Sequence, residues 1–207
     1  MEPVAWRIRI VQGQGPSDLS PNPQIVQVSD SVFWTNETSV SHRPAPDSGK
    51  EWFIERDANG NPVNGPDGQP IPKNIEPGTS SDQAQLSSAG PLTYHCALHP
   101  KNDREKGTII VPAQQIQIRR DNSGAMQYDA STVAPGSYVT WLNVDYQGES
   151  HQPTFAIGPP TAPPIASTDS SAPVLFSTAG TFPYTCKIHP NDATDRGSIT
   201  VQAPSQT

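Results

Sequence analysis

Methionine and cysteine are almost missing from this chain, with two of each in 207 residues. Basic residues are also scarce: 13 Lys and Arg stand against 20 Asp and Glu, for a formal net charge of -7. Neutralising nucleic-acid phosphates takes a basic surface, so no nucleic-acid partner is expected. No apolar run is long enough to cross a bilayer as a helix, so no membrane span is expected. The opening stretch MEPVAWRIRI has no basic segment leading into an apolar core and does not read as a signal peptide. That leaves an intracellular chain or the mature part of an exported one. No Gly-x-Ser-x-Gly, phosphate-binding loop or dinucleotide fingerprint occurs in a strand–helix context. With 24 prolines and only 16% charged residues, the composition also excludes a protein of long helices.

What is present is a set of short runs of Val, Ile, Thr, Tyr, Phe and Trp, bounded by Pro, Gly, Asn, Asp and Ser. That pattern predicts an all-β protein. Many of these runs occur twice. IEPGTSSDQAQLSSAGPLTYHCALHP, from Ile75, aligns without a gap to IASTDSSAPVLFSTAGTFPYTCKIHP, from Ile165. Both continue into Gly-x-Ile-x-Val, at Gly107 and Gly197. Upstream, SVFWTN (from Ser31) matches SYVTWLN (from Ser137), and each leads to Ser-His-x-Pro, at Ser41 and Ser150. The chain therefore reads as two tandem copies of one domain, 1–112 and 113–207, each of about the size of a β-sandwich. The first copy carries an insertion at about 50–74, rich in Asn-Gly, Gly-Pro and Asp-Gly turns, expected to form an extra hairpin or long surface loop. Trp52 and Phe53 are expected to pack it onto the body.

Four of the five histidines fall at matched positions beside the two cysteines. Each copy owns a His, a Cys and a second His: His42, Cys96 and His99, then His151, Cys186 and His189. In Cys-x-x-His both side chains can converge where a strand ends and its loop turns back; the upstream His comes from another strand-to-loop junction. A disulfide is the competing reading of two cysteines. It would have to join equivalent points of two domains with Cα atoms within about 7 Å, and it would leave four matched histidines without a role. A thiolate with two imidazoles suits copper in a trigonal arrangement. Zinc accepts the same donors but prefers a fourth.

These motifs resemble the cupredoxin family, the plastocyanin and azurin type of small copper protein. The likeness covers nearly the whole chain, twice. It rests on Trp-x-Asn, the upstream His, and Tyr-x-Cys-x-x-His-Pro followed by Gly-x-Ile-x-Val. The resemblance implies Greek-key β-sandwiches with one copper near an end of each, hence two per chain. It implies single-electron transfer with a redox partner protein, and a periplasmic or extracellular location. By position it implies His42, Cys96 and His99 as the ligands of one site and His151, Cys186 and His189 as those of the other.

The chain departs from the family where a methionine is expected as axial ligand. Glu105 and Asp195 stand there instead, and the only methionines are Met1 and Met126. Three outcomes stay open: a carboxylate on the metal, no axial residue, or acidic side chains facing water on a polar loop. Family members often have Asn after the upstream His, tying the ligand loops together; here Arg43 and Gln152 follow. His95 is expected to be structural or surface-exposed, because the extra histidines of a second, catalytic copper centre are missing. Storage or delivery of copper, and reaction of an open copper position with a small nitrogen oxide, are the alternative functions.

Overall fold

A computed structural model of the chain describes residues 3–13 and 15–203. Met1 lies outside the described residues. The chain divides into two compact units, one ending at Val111 and the next starting at Pro112.

The first unit contains β1 (Ala5–Ile10), β2 (Leu19–Ser20), β3 (Gln24–Ile25), β4 (Ser31–Asn36), β5 (Pro44–Pro46), β6 (Ala84–Gln85), β7 (Gly90–Cys96) and β8 (Lys106–Val111). They form two four-stranded sheets, ordered β2-β1-β4-β6 and β3-β8-β7-β5. The chain crosses repeatedly between the sheets, which is the Greek-key β-sandwich. The second unit contains β9 (Gln114–Arg120), β10 (Met126–Tyr128), β11 (Ser131–Val133), β12 (Ser137–Asn143), β13 (Pro153–Phe155), β14 (Val174–Phe176), β15 (Gly180–Cys186) and β16 (Arg196–Val201). Its sheets, β10-β9-β12-β14 and β11-β16-β15-β13, repeat the first unit's order strand for strand. The protein is thus all-β. Among the described residues the only helical segment is a 3-10 turn at Asp103–Glu105, and no helix is long and apolar enough to cross a membrane.

Period-two alternation builds each core. In β4, Val32, Trp34 and Asn36 point inward; in β12, Val139, Trp141 and Asn143 do the same. Ile8, Ile109 and Val111 close the first core, and Ile116, Ile199 and Val201 the second. Each such side chain contributes about 1.5–3 kcal/mol of burial. Met126 is one of the second core's buried side chains.

The insertion forms a narrow ladder with bridges Ile54↔Pro72, Arg56↔Pro62 and Asn64↔Pro70. Trp52 and Phe53 anchor it as packing residues. Phe53 is buried in the first core, and Trp52 stacks on Trp34 with ring centroids 5.0 Å apart.

Candidate metal centre

The spacing Tyr-x-Cys follows from the alternation in β7 and β15. Tyr94 and Cys96 face inward, as do Tyr184 and Cys186. Each tyrosine ring lies over the glycine paired with it across the sheet, Gly107 or Gly197. A Cβ at either glycine would collide with that ring, so only glycine fits the start of Gly-x-Ile-x-Val. His95, between Tyr94 and Cys96, points to the outer face and meets Asp47 at 2.6 Å, a surface role.

The asparagine of Trp-x-Asn secures the loop of the upstream histidine. Asn36 Nδ2 donates to the Val40 and Ile75 carbonyls at 2.7 and 2.9 Å. Asn143 Nδ2 donates to the Glu149 and Ile165 carbonyls at 2.7 and 3.0 Å. His42 then bridges Ile75, and His151 bridges Ile165. These are the two isoleucines at which the sequence copies align. Backbone bonds tie the two site loops together beside Arg43 and Gln152. Arg43 N–H donates to Cys96 Sγ and Gln152 N–H to Cys186 Sγ, both at 3.4 Å. Ala97 N–H reaches the Arg43 carbonyl at 2.8 Å, and Lys187 N–H the Gln152 carbonyl at 2.9 Å.

All six histidine and cysteine positions named from the sequence, together with Glu105 and Asp195, come together as two clusters of four. Within each cluster the donor atoms lie within 4.8 Å of one another. In the first, Cys96 Sγ is 3.7 Å from His42 Nδ1 and 3.4 Å from His99 Nδ1. Glu105 Oε2 stands 3.1 and 3.0 Å from the same two nitrogens. In the second, Cys186 Sγ is 3.9 Å from His151 Nδ1 and 3.5 Å from His189 Nδ1. Asp195 Oδ2 lies 3.1 and 2.8 Å from those nitrogens. Both cysteines are free, so neither is committed to a disulfide.

The reading of Glu105 and Asp195 as solvated loop residues is overturned. They are 6% and 1% exposed. The cause is the loop's path. The Asn102 side chain caps the short 3-10 turn by accepting from Arg104 N–H at 3.2 Å, and its Nδ2 donates to Glu105 Oε1 at 2.7 Å. Asp192 caps the equivalent turn through Thr194 N–H at 2.8 Å, and the Tyr128 hydroxyl donates to Asp195 Oδ1. The charged residues that made the loop look wet, Lys101 and Asp103, remain exposed.

Both cluster carboxyls are held toward their charged form. Burial raises the Glu105 carboxyl, but hydrogen bonds from Cys96, His99 and Asn102 outweigh it and hold it below the ordinary range. For Asp195 burial is again outweighed, by His151, Tyr128 and His189, and the carboxyl falls to about 2. Burial works against a charged His151, yet bonds to Asp195, Cys186 and Asp145 lift it to about 10. Burial pushes the Cys96 thiol up. Burial also acts on Cys186, where the His151 bond and backbone N–H groups prevail and lower it.

This donor set fits a copper-sized cation. Ligand bonds of about 2.0–2.3 Å in tetrahedral array place donors roughly 3.3–3.6 Å apart, close to the observed separations. The buried histidine of each pair is oriented from behind, His42 by Thr38 and His151 by Asp145. Sequence reasoning missed Thr38, Asn102, Tyr128 and Asp145. Asn102 had a signal, since its counterpart Asp192 also stands three residues after the Cys-x-x-His histidine. Thr38 and Asp145 also stand at matched positions, two after the asparagine of Trp-x-Asn, whereas Tyr128 had no signal.

No family model and no curated protein matches the chain. Solved structures similar to it are cupredoxins. A Cu(I) form of an amicyanin variant is 25% identical over 42% of this chain and 82% of its own, with a TM-score of 0.34. A reduced tryptophan-to-tyrosine variant of amicyanin is 24% identical over 44% and 86%, with a TM-score of 0.35. A purple cupredoxin from Nitrosopumilus maritimus is 24% identical over 51% and 98%, with a TM-score of 0.33. The chain resembles cupredoxins in its two all-β units, and each unit has a His-Cys-His site without a methionine donor.

Proposed function

We propose that this protein is a single-electron carrier with two mononuclear, type 1-like copper sites, one in each of the domains 1–112 and 113–207. His42, Cys96 and His99 would hold one ion, and His151, Cys186 and His189 the other. Glu105 and Asp195 would supply the fourth, axial donor. Copper, when bound, supplies a one-electron couple that no side chain here provides. The observation carrying this reading is the convergence, twice, of a buried thiol with two imidazole nitrogens and a carboxylate oxygen. The residues do the rest. Two anchored loops hold the donors in a fixed array, which keeps reorganisation small when the charge changes. The N–H groups of Arg43 and Gln152 stabilise negative charge on sulfur. His99 and His189 keep 35% and 27% of their side chains exposed, which gives an electron a way out. Leu98 and Ile188, exposed beside them, with Pro100 and Pro190, offer apolar surface to a redox partner protein.

A carboxylate beside both imidazoles weighs against reaction of a small nitrogen oxide at an open position. The scarcity of Met and His beyond the clusters weighs against storage or delivery. The reading includes no separate catalytic copper centre, and the family likeness favours a periplasmic or extracellular location.

Loading with Cu(II), then measuring copper stoichiometry, visible absorption and EPR, tests the reading. Two ions per chain with thiolate-to-copper absorption are expected, with a colour moved away from intense blue by the carboxylates. Cys96→Ser and Cys186→Ser should each remove one ion. A colourless protein with a Cys96–Cys186 disulfide would sink the proposal.

A further inference from the structure

The two clusters match in their donors and differ behind the buried histidine. In the first domain His42 Nε2 lies 2.8 Å from Thr38 Oγ1, a neutral hydroxyl that donates its own O–H to Asn36 Oδ1 at 2.8 Å. In the second, His151 Nε2 lies 3.2 Å from Asp145 Oδ2, with both side chains fully buried. With copper held at each Nδ1, each Nε2 would carry the N–H and donate, and the Thr38 hydroxyl, already donating to Asn36, is free to accept. The acceptor is therefore neutral in one domain and an anion in the other.

Arg120 holds that anion in place. Its Nη2 donates to Asp145 Oδ2 at 3.0 Å and its Nε to Oδ1 at 3.2 Å. The Gln147 N–H adds a bond to Oδ1 at 3.1 Å. Strand register identifies Arg120's counterpart. Asn36 pairs with Ile10, and Asn143 with Ile118, so two residues on, Gln12 stands where Arg120 does. In the first domain a cavity of about 240 Å³ reaches this corner, lined by Gln12, Thr38 and His42 and, away from His42 Nε2, by Asp18, His99 and Glu105; Asp18 is paired with Arg104 and makes no bond to His42.

An imidazole whose N–H donates to a carboxylate is the stronger electron donor to a metal. A fixed negative charge in a buried setting also favours the higher charge on a neighbouring ion. Arg120 offsets part of that field but leaves the hydrogen bond in place. The axial carboxylates differ less, since each accepts from one neutral donor, Asn102 or Tyr128. We infer that Asp145, held by Arg120, sets the second domain's copper at a lower reduction potential than the first's. The inference rests on the copper reading above and makes the two copies functionally unequal.

The test is a redox titration of full-length, copper-loaded protein, followed by charge-transfer absorption and EPR. Cys96→Ser isolates the second site and Cys186→Ser the first. The second site should titrate lower. Adding Asp145→Asn to Cys96→Ser should shift its Cu(II)/Cu(I) affinity ratio about tenfold toward Cu(I), which is about 59 mV upward for one electron. Asp145→Asn with Arg120→Gln removes both charges, recreates the first domain's glutamine, and serves if the single change fails to fold. Thr38→Ala should move the first site much less. Equal potentials with both bands intact, or a second site unmoved by the double change, would overturn this inference alone. Loss of thiolate-to-copper absorption in the parent protein would overturn the copper reading and this inference with it.

Discussion

Single residues in this protein are constrained by what stands opposite them, and two of them show it most clearly. Gly107 and Gly197 are required because a tyrosine ring occupies the space a Cβ would need. Gly107→Ala and Gly197→Ala should each cost about 1–3 kcal/mol, the usual penalty of overpacking, and thermal unfolding monitored by circular dichroism would register it. The Asn36 amide is fully buried and spans the Val40 carbonyl, on the loop that carries His42, and the Ile75 carbonyl, on the segment bridged to His42. Asn36→Ala leaves both carbonyls without that donor, for about 1–3 kcal/mol each at most. It should also weaken copper binding in the first domain alone, readable as loss of one ion on dialysis against a chelator. The sequence displayed these residues as motif letters; their reasons lie in partners far along the chain.

At the scale of elements, the turn carrying Glu105 is clamped from outside. Asp18, buried in the loop after β1, accepts from Arg104 Nε at 3.0 Å, from Nη2 at 2.8 Å and from Gly13 N–H at 3.2 Å. Burial raises the Asp18 carboxyl, but the Arg104 and Gly13 bonds outweigh it and leave it below the ordinary range. A carboxyl lowered by folding stabilises the protein above its unfolded pKa, near 3.9, and that stability is lost as pH falls through the folded value. The difference in melting temperature between wild type and Asp18→Asn should therefore be largest above about pH 5 and shrink below about pH 4. A difference that stays constant across that range would rule out the charge as its source. The insertion offers a second test. Phe53 is 3% exposed in the first core, so Phe53→Ala should cost about 3–5 kcal/mol in a denaturant titration, the range for a buried aromatic rather than a surface loop. Turn dipeptides announced the loop; that its aromatics complete the core against Trp34 depends on where it folds back.

At the scale of the whole molecule, each unit has its own hydrophobic core and its own donor cluster. Expressed separately, 1–112 and 113–207 should each fold and bind one copper ion, as seen by stoichiometry and the charge-transfer band. Failure of either half to fold would count against the domain boundary proposed here. On the copper reading only the folded state holds the ion, so loading at 100 times the dissociation constant should stabilise each half by about 2.7 kcal/mol. Cys96→Ser or Cys186→Ser should abolish the gain in the corresponding half.

Periodicity, turn residues and the doubled heptads YHCALHP and YTCKIHP were enough to determine an all-β chain and the donor residues to examine. Those signals are local. They record which face of a strand a residue occupies and which side chains end one strand, and such patterns survive in a linear text. The tertiary structure decided what depends on separation along the chain. Glu105 and Asp195 sit in loops that read as polar, and only the capped turns rotate their carboxylates inward beside the imidazoles. Thr38 and Asp145 hold one position of the repeat, two after the matched asparagines, and only the fold brings that position behind equivalent histidines and sets Arg120 on Asp145. Charge and hydrogen bonding act through space, so a repeat nearly symmetric in its letters yields two sites with different surroundings.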